Sequence, residues 1–248
     1  LLSVITAVAH GRDGYLSECS ESIPAKLGNS WDVEWVLAVD GACEQEAYRQ
    51  LPRTPDTLIA SGIREGTAAT RNRALLATKG QWVVNLDGDD LLDPEGMAQL
   101  CGKLGPTTGW AAGLLLNRAD NKPYPPVTAA SDKTWKPGEL VDTWTVPMAL
   151  HPGVAWMRRE LLLAVGGWPA LSTIEDKLPL MRISETTEGI TAPIITHHYR
   201  RHEKQYTSSR EHQAGKTPAL AFTSEVLTAR RRLHNPHAGQ VKPKPANG

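Results

Sequence analysis

With 248 residues the chain can bury a sizeable core, and its 27 Lys and Arg against 27 Asp and Glu leave no formal net charge. That balance removes any electrostatic reason to expect nucleic acid or a membrane surface as partner. Three cysteines, Cys19, Cys43 and Cys101, are odd in number and lack metal-ligand spacing, as expected of reduced thiols. No apolar stretch reaches the length of a membrane span and no signal peptide is visible, so the expectation is a soluble, cytoplasmic protein.

In chain order, residues 3–8 predict a strand and 15–27 the helix after it. A second apolar run covers 34–39 and a short strand 57–60, followed by a helix over 66–78 and a strand over 81–86. Residues 94–102 resume as helix and 110–116 as strand. This alternation is that of βαβ units and a largely parallel sheet. Composition then shifts: Pro123, Pro125, Pro126 and Pro137 mark residues 117–137 as a loop or lobe boundary. After it come a strand at 154–157 and helices at 159–165, 176–184 and 219–233. Beyond Glu225 only basic charges remain, Arg230, Arg231, Arg232, Lys242 and Lys244 among them, and the tail reads as disordered.

The most informative segment is Asp87-Gly88-Asp89-Asp90, which follows the apolar run Trp82-Val83-Val84-Asn85-Leu86. Three carboxylates crowd the point where a buried strand should leave a sheet, the place where open α/β sheets bind ligands. Like charges that close need neutralising, and a hard divalent cation shared with substrate phosphates does this. An acidic turn is the local alternative, because Asp and Gly dominate turns. Val8-Ala9-His10 and Asp40-Gly41 end two further apolar runs, and in a parallel sheet all three ends project to one edge. On the wheel of the 66–78 helix, Ala68, Ala69, Leu75 and Leu76 form an apolar arc with Asn72 at its centre and Arg71 on its flank. A buried amide needs a partner, from a neighbouring loop or from a ligand. Arg71 at the mouth of an acidic cleft suits a phosphate or a base.

Gly66-Thr67-Ala68-Ala69-Thr70-Arg71-Asn72, then Lys79-Gly80-Gln81-Trp82, then Leu86-Asp87-Gly88-Asp89-Asp90 resembles the family 2 glycosyltransferases. The opening Ser3-Val4-Ile5-Thr6-Ala7 and the step Val39-Asp40-Gly41 are similar to that family's first two strand ends. Gly166-Gly167-Trp168, Glu175-Asp176 and Tyr199-Arg200-Arg201-His202 resemble its glycine-rich acceptor loop, its Glu-Asp motif and its C-terminal basic and histidine segment. The likeness runs from about residue 3 to residue 205.

The resemblance implies an α/β fold of GT-A type, a Rossmann-like, mostly parallel mixed sheet flanked by helices. It implies a nucleotide-sugar-binding half at 1–117, a smaller acceptor-binding half at 118–217, and a C-terminal helix with basic tail at 218–248. It further implies a nucleotide-sugar donor, by association a UDP-sugar, with Mn2+ or Mg2+ on the diphosphate and inversion at the anomeric carbon. The acceptor is an unidentified hydroxyl on a small molecule, a glycan or a lipid-linked sugar. By position, Asp40 and Arg71 would contact the base, with Thr6, Ala7 and Gly88 lining the nucleotide. Asp87 would face ribose or metal, Asp89 would hold the metal, and Arg200 or its neighbour Arg201 would bind the diphosphate. A histidine would complete the metal site; His197, His198 and His202 compete, and His198 is the one assigned. Asp176 would be the catalytic base, with Glu175 beside it.

The chemistry is consistent with these roles. Expelling a nucleoside diphosphate needs charge stabilisation on the leaving group, which a metal supplies. A base opposite the leaving group must take the acceptor's proton. The local alternative for Glu175-Asp176 is that they cap the helix that follows. Two rivals stand beside this reading. A sugar-phosphate nucleotidyltransferase would carry a Gly-rich phosphate loop, of which His10-Gly11-Arg12-Asp13-Gly14 is a faint echo. A silent nucleotide- or glycan-binding module would turn over neither substrate. Trp135, Trp144, Trp156 and Trp168 could stack on sugars, with core packing the default.

Overall fold

The computed structural model describes residues 1–12, 14–41, 46–120, 122–124, 131–146, 148, 150–202 and 205–245. Cys43, Asp13, Pro125 and Pro126, which entered the sequence reading, lie outside them.

The first half is built as its periodicity dictates. Strand β1 (Leu2–Ala9) is followed by α1 (Leu16–Glu21), β2 (Lys26–Leu27) and β3 (Trp31–Asp40). Then come α2 (Glu46–Arg49), β4 (Thr57–Ser61), α3 (Thr67–Ala77), β5 (Trp82–Asn85), β6 (Leu91–Leu92) and α4 (Pro94–Cys101). The helix expected over 15–27 stops at Glu21, because Pro24 follows and Ser22 turns its hydroxyl back onto the Cys19 carbonyl at 2.6 Å. The turn from α3 into β5 is fixed by the buried Glu34, which accepts the N–H groups of Lys79 and Gly80. Gly80 is obligatory there, since a Cβ would lie 2.7 Å from the Ser3 nitrogen.

Downstream lie β7 (Thr108–Asn117), β8 (Lys122–Tyr124), β9 (Lys133–Trp135), α5 (Glu139–Asp142) and β10 (Thr145–Val146). They lead to β11 (Ala155–Arg158), α6 (Arg159–Ala164), α7 (Lys177–Ser184), β12 (Glu188–Tyr199), α8 (Arg210–His234) and β13 (Lys244–Pro245). Among its described residues the proline-rich 117–137 stretch holds two short strands. β12 escaped the sequence reading because Pro193 interrupts its alternation; the ladder slips register between Thr191 and Ile195 to accommodate it. α8 begins well before residue 219, with Pro218 inside it.

The main sheet runs β2-β3-β1-β5-β11-β7-β12-β6, with β4 beside β3. β1 pairs in parallel with β3 and β5, β3 with β4, and β7 with β12, while β11 lies antiparallel between β5 and β7. This is the mostly parallel α/β architecture expected. Alternation splits the core onto two faces: Leu2, Val4 and Val8 pack with Met97 and Leu100 of α4, whereas Ile5, Val36 and Ala38 pack with Leu75 of α3, Leu180 of α7 and Leu227 of α8. Trp135, Trp144, Trp156 and Trp168 are all 5% exposed or less, so each is core and none presents a face to a sugar.

The tail is not disordered up to residue 245. Val241 is buried, its N–H donates to Thr228 Oγ1 at 2.9 Å, and the Lys244 N–H reaches the Trp144 carbonyl at 2.8 Å. Among the described residues no helix is long and apolar enough to cross a membrane.

Candidate active site

Parallel register brings three strand ends to one edge. Ala9 pairs with Asp40 and Ile5 with Asn85, so His10, Asp40 and the acidic turn emerge side by side. His10 is held there by its Nδ1 against Tyr48 Oη at 3.1 Å. Asp40 is committed to the approach to α3: its carboxylate accepts the Glu65 N–H at 2.8 Å and the Gly66 N–H at 3.1 Å. Gly66, at φ +87°, makes the turn that starts the helix.

α3 buries Ala68, Thr70, Arg71, Ala74 and Leu75; Leu76, placed on the apolar arc by the wheel, is 71% exposed. Asn72 makes two reciprocal bonds with the Trp168 backbone, donating to its carbonyl and accepting from its N–H, both at 2.9 Å. Its partner is therefore a loop. Gly167, at φ +66°, has to be glycine, because a Cβ would meet Asn72 Oδ1 at 2.2 Å. Arg71 reaches inward: Nη2 lies 2.7 Å from Asp87 Oδ1 and Nη1 2.6 Å from Glu175 Oε1. Burial pulls its pKa down, but Asp87, Glu175 and Asp176 outweigh that and raise it, so the guanidinium is permanently charged. One cation thus joins the acidic turn to the Glu-Asp motif.

The acidic turn closes by the Asp90 N–H onto the Asp87 carbonyl at 3.0 Å. Asp87 is half exposed, whereas Asp90 is buried and accepts the Arg200 N–H at 2.8 Å. Burial, with Asp87 and Asp89 beside it, pushes the Asp90 pKa well up. Asp89 is also pushed up, by burial and by Asp87, and its Oδ2 lies 2.9 Å from His202 Nε2. Arg200 donates from Nε to the Asp89 carbonyl at 3.0 Å, pairs with Glu18 at 2.6 Å and lies 4.4 Å from the Tyr15 ring centre. Its guanidinium thus braces the turn from outside. Thr6 is fully buried and accepts from Trp35 Nε1 at 3.0 Å; Ala7 and Gly88 are half-buried, with Gly88 packed beside Val8.

The histidines separate by strand geometry. Neighbours in β12 point to opposite faces. His197 turns inward, with Nε2 3.1 Å from the Asn85 carbonyl, and burial lowers its pKa to about 4. His198, the residue assigned to the metal, faces the other way and sits 3.1 Å from Asp93 Oδ2; Asp93 caps α4 by accepting the Gly96 N–H at 2.8 Å. The histidine beside Asp89 is instead His202, beyond the strand end where the chain folds back over the acidic turn.

Glu175 and Asp176 follow Ile174, whose φ of +51° is unusual for a β-branched residue and costs on the order of 1–3 kcal/mol. Glu175 is largely buried, and burial raises its pKa despite Arg71. Asp176 occupies the N-cap position of α7 without making a side-chain capping bond, so its carboxylate is not spent on the helix. His151 was missed by sequence reasoning. Its Nδ1 accepts the Gly153 N–H at 3.2 Å, and a Cβ on Gly153 would stand 3.1 Å from that ring and 3.6 Å from Asp176 Oδ2. Burial lowers its pKa, with Asp176 opposing. A lone histidine before Pro152 carries no motif, which is why only the fold places it.

Among the described residues no group of three or more His, Cys, Asp or Glu side chains is set to hold a metal by itself. Asp89 and His202, 2.9 Å apart, are a pair that could donate to one. That fits a cation completed by phosphate oxygens and water, which takes few protein ligands.

The family model described as Glycosyl transferase family 2 matches residues 5–166, more than half of the chain. No curated protein matches it. Among the similar solved structures are two that hold a nucleotide sugar. Staphylococcus aureus TarS 1-349 in complex with UDP-GlcNAc has a TM-score of 0.67 at 16% identity, over 96% of this chain and 73% of that one. The mannosyltransferase PcManGT from Pyrobaculum calidifontis, in complex with GDP-Man and Mn2+, has a TM-score of 0.65 at 20% identity, over 94% of this chain and 70% of that one.

Proposed function

Because the chain belongs to glycosyltransferase family 2 and is a glycosyltransferase, we propose that it is a metal-dependent, inverting enzyme using a nucleoside-diphosphate sugar. The observation that carries this is the bridge Asp87–Arg71–Glu175, which puts a strand-end carboxylate turn and the Glu-Asp motif in one site. The first would face the leaving diphosphate and the second the attacking hydroxyl. Residues 1–117 would carry the donor and 118–217 the acceptor. UDP is taken as the nucleotide by family association; TarS holds UDP-GlcNAc, and PcManGT holds GDP-Man with Mn2+.

Asp89 and His202 would hold Mn2+ or Mg2+, with Asp87 turned to the ribose by Arg71. A divalent cation there supplies charge neutralisation to the departing diphosphate. Asp176 takes the proton from the acceptor hydroxyl as the oxygen bonds the anomeric carbon and the bond to the diphosphate breaks. Attack opposite the leaving group inverts that carbon. Glu175 is pinned by Arg71, which leaves Asp176 as the carboxylate free to accept the proton. Arg200 supports the acidic turn and reaches the diphosphate only by releasing Glu18.

The test separates metal-bridged from direct contacts. By calorimetry with Mn2+, Asp89→Asn should weaken UDP binding by at least about tenfold and uridine binding far less, because the cation joins protein to phosphate. Equal losses for UDP and uridine would remove Asp89 from the metal.

A further inference from the structure

The loop that delivers Asp176 does not hold its own shape, since Ile174 sits at positive φ. Strained backbone of this kind persists only where its surroundings over-determine it. Here the surroundings are the first turns of α8. Ser209 caps that helix, its Oγ accepting the His212 N–H at 3.1 Å, which fixes where the His212 ring starts. The ring meets Thr173, with Nδ1 2.8 Å from Oγ1, and both residues are buried. Tyr206 donates its hydroxyl to the Ser172 carbonyl at 2.8 Å and stands edge-on to the His212 ring, centroids 5.4 Å apart. Gly215, one turn further on, lies so near that a Cβ would be 2.8 Å from Ser172 Oγ and 2.9 Å from Thr173 Cγ2.

Three contacts on consecutive residues, Ser172 and Thr173 ahead of the strained Ile174, are more than helix packing requires. We propose that the Thr173–His212 pair, backed by Tyr206 and Gly215, is the device that positions Asp176 for proton transfer. This rests on Asp176 being the base. The contacts of these four residues are with the loop, and it is through the loop that they act. A positioning residue of this kind governs turnover and leaves donor affinity alone, because the geometry it sets matters in the transition state.

The experiment measures UDP release from a UDP-sugar with Mn2+, UDP affinity by calorimetry, and the unfolding midpoint. The variants are Thr173→Val, Thr173→Ser, Asp176→Asn and the double Thr173→Val/Asp176→Asn. Thr173→Val, which keeps shape and removes the hydroxyl, should lower kcat about tenfold with UDP affinity within about twofold. Thr173→Ser should restore it. On the Asp176→Asn background Thr173→Val should cost nothing further, since the group it positions is gone. Should Thr173→Val fail to fold, Tyr206→Phe takes its place, with a smaller loss of kcat and the same non-additivity. A large loss in Asp176→Asn with unchanged kcat in Thr173→Val overturns the positioning role and leaves the base reading standing. Equal losses on both backgrounds also overturn it. Wild-type turnover in Asp176→Asn removes the base reading itself, and the inference with it.

Discussion

At the scale of single residues, Arg71 decides how the site is organised. Its side chain is 8% exposed and Glu175 is 12% exposed, so this pair is largely shielded, while Asp87 keeps more than half its surface in water. Deleting the cation leaves a buried carboxylate uncompensated, and loss of one partner in such a pair typically costs about 3–5 kcal/mol. Arg71→Ala should therefore lower unfolding stability by about 3 kcal/mol in denaturant titration and weaken UDP binding as well. Full stability with a weakened donor would make Arg71 a ligand contact only. The sequence placed Asn72 at the centre of the buried arc and Arg71 on its flank, whereas in the fold Arg71 is buried and Asn72 only half-buried. It could not pair Arg71 with Glu175, because the partners are more than a hundred residues apart. His202 over His198 was equally hidden, since the choice turns on where β12 ends, and β12 itself was not legible.

Elements with a clean period were read well. The ends of β1, β3 and β5 converge as the apolar runs 3–8, 34–39 and 81–86 require, and α3 and α4 match to within a residue or two at either end. Prolines account for three of the misses: Pro24 shortens α1, Pro193 hides β12 and Pro218 hides the first turns of α8. The tail was misread because its composition is basic and Pro-rich, while one buried residue, Val241, anchors it. β12 also carries a pH dependence. His197 is held neutral, with a pKa lowered by burial to about 4. A histidine depressed when folded lets the unfolded chain bind the proton first, so stability is present above about pH 6.5 and is lost as pH falls toward about 4. The loss from this residue amounts to about 3 kcal/mol at about 1.4 kcal/mol per pKa unit. His197→Gln, which retains a donor for the Asn85 carbonyl, should flatten the stability profile between those pH values. An unchanged slope would show that His197 titrates normally or that other groups govern the acid limb.

For the molecule as a whole, the sheet does two jobs with one set of strands. Its alternating faces bury two cores, and its carboxyl edge gathers the acidic turn, while β12 and α8 bring His202 and the brace on Ser172 and Thr173 to the same side. The central claim is an inverting displacement with Asp176 as base, made across the Asp87–Arg71–Glu175 bridge. Its direct test is the anomeric configuration of the first-formed product, read by proton NMR during turnover of a UDP-sugar with Mn2+, in wild type and in Asp176→Asn. The account predicts UDP release, a product inverted relative to the donor, and a rate reduced about 10²–10⁴-fold in Asp176→Asn. A product that keeps the donor's configuration, or an Asp176→Asn enzyme that turns over at the wild-type rate, would contradict it.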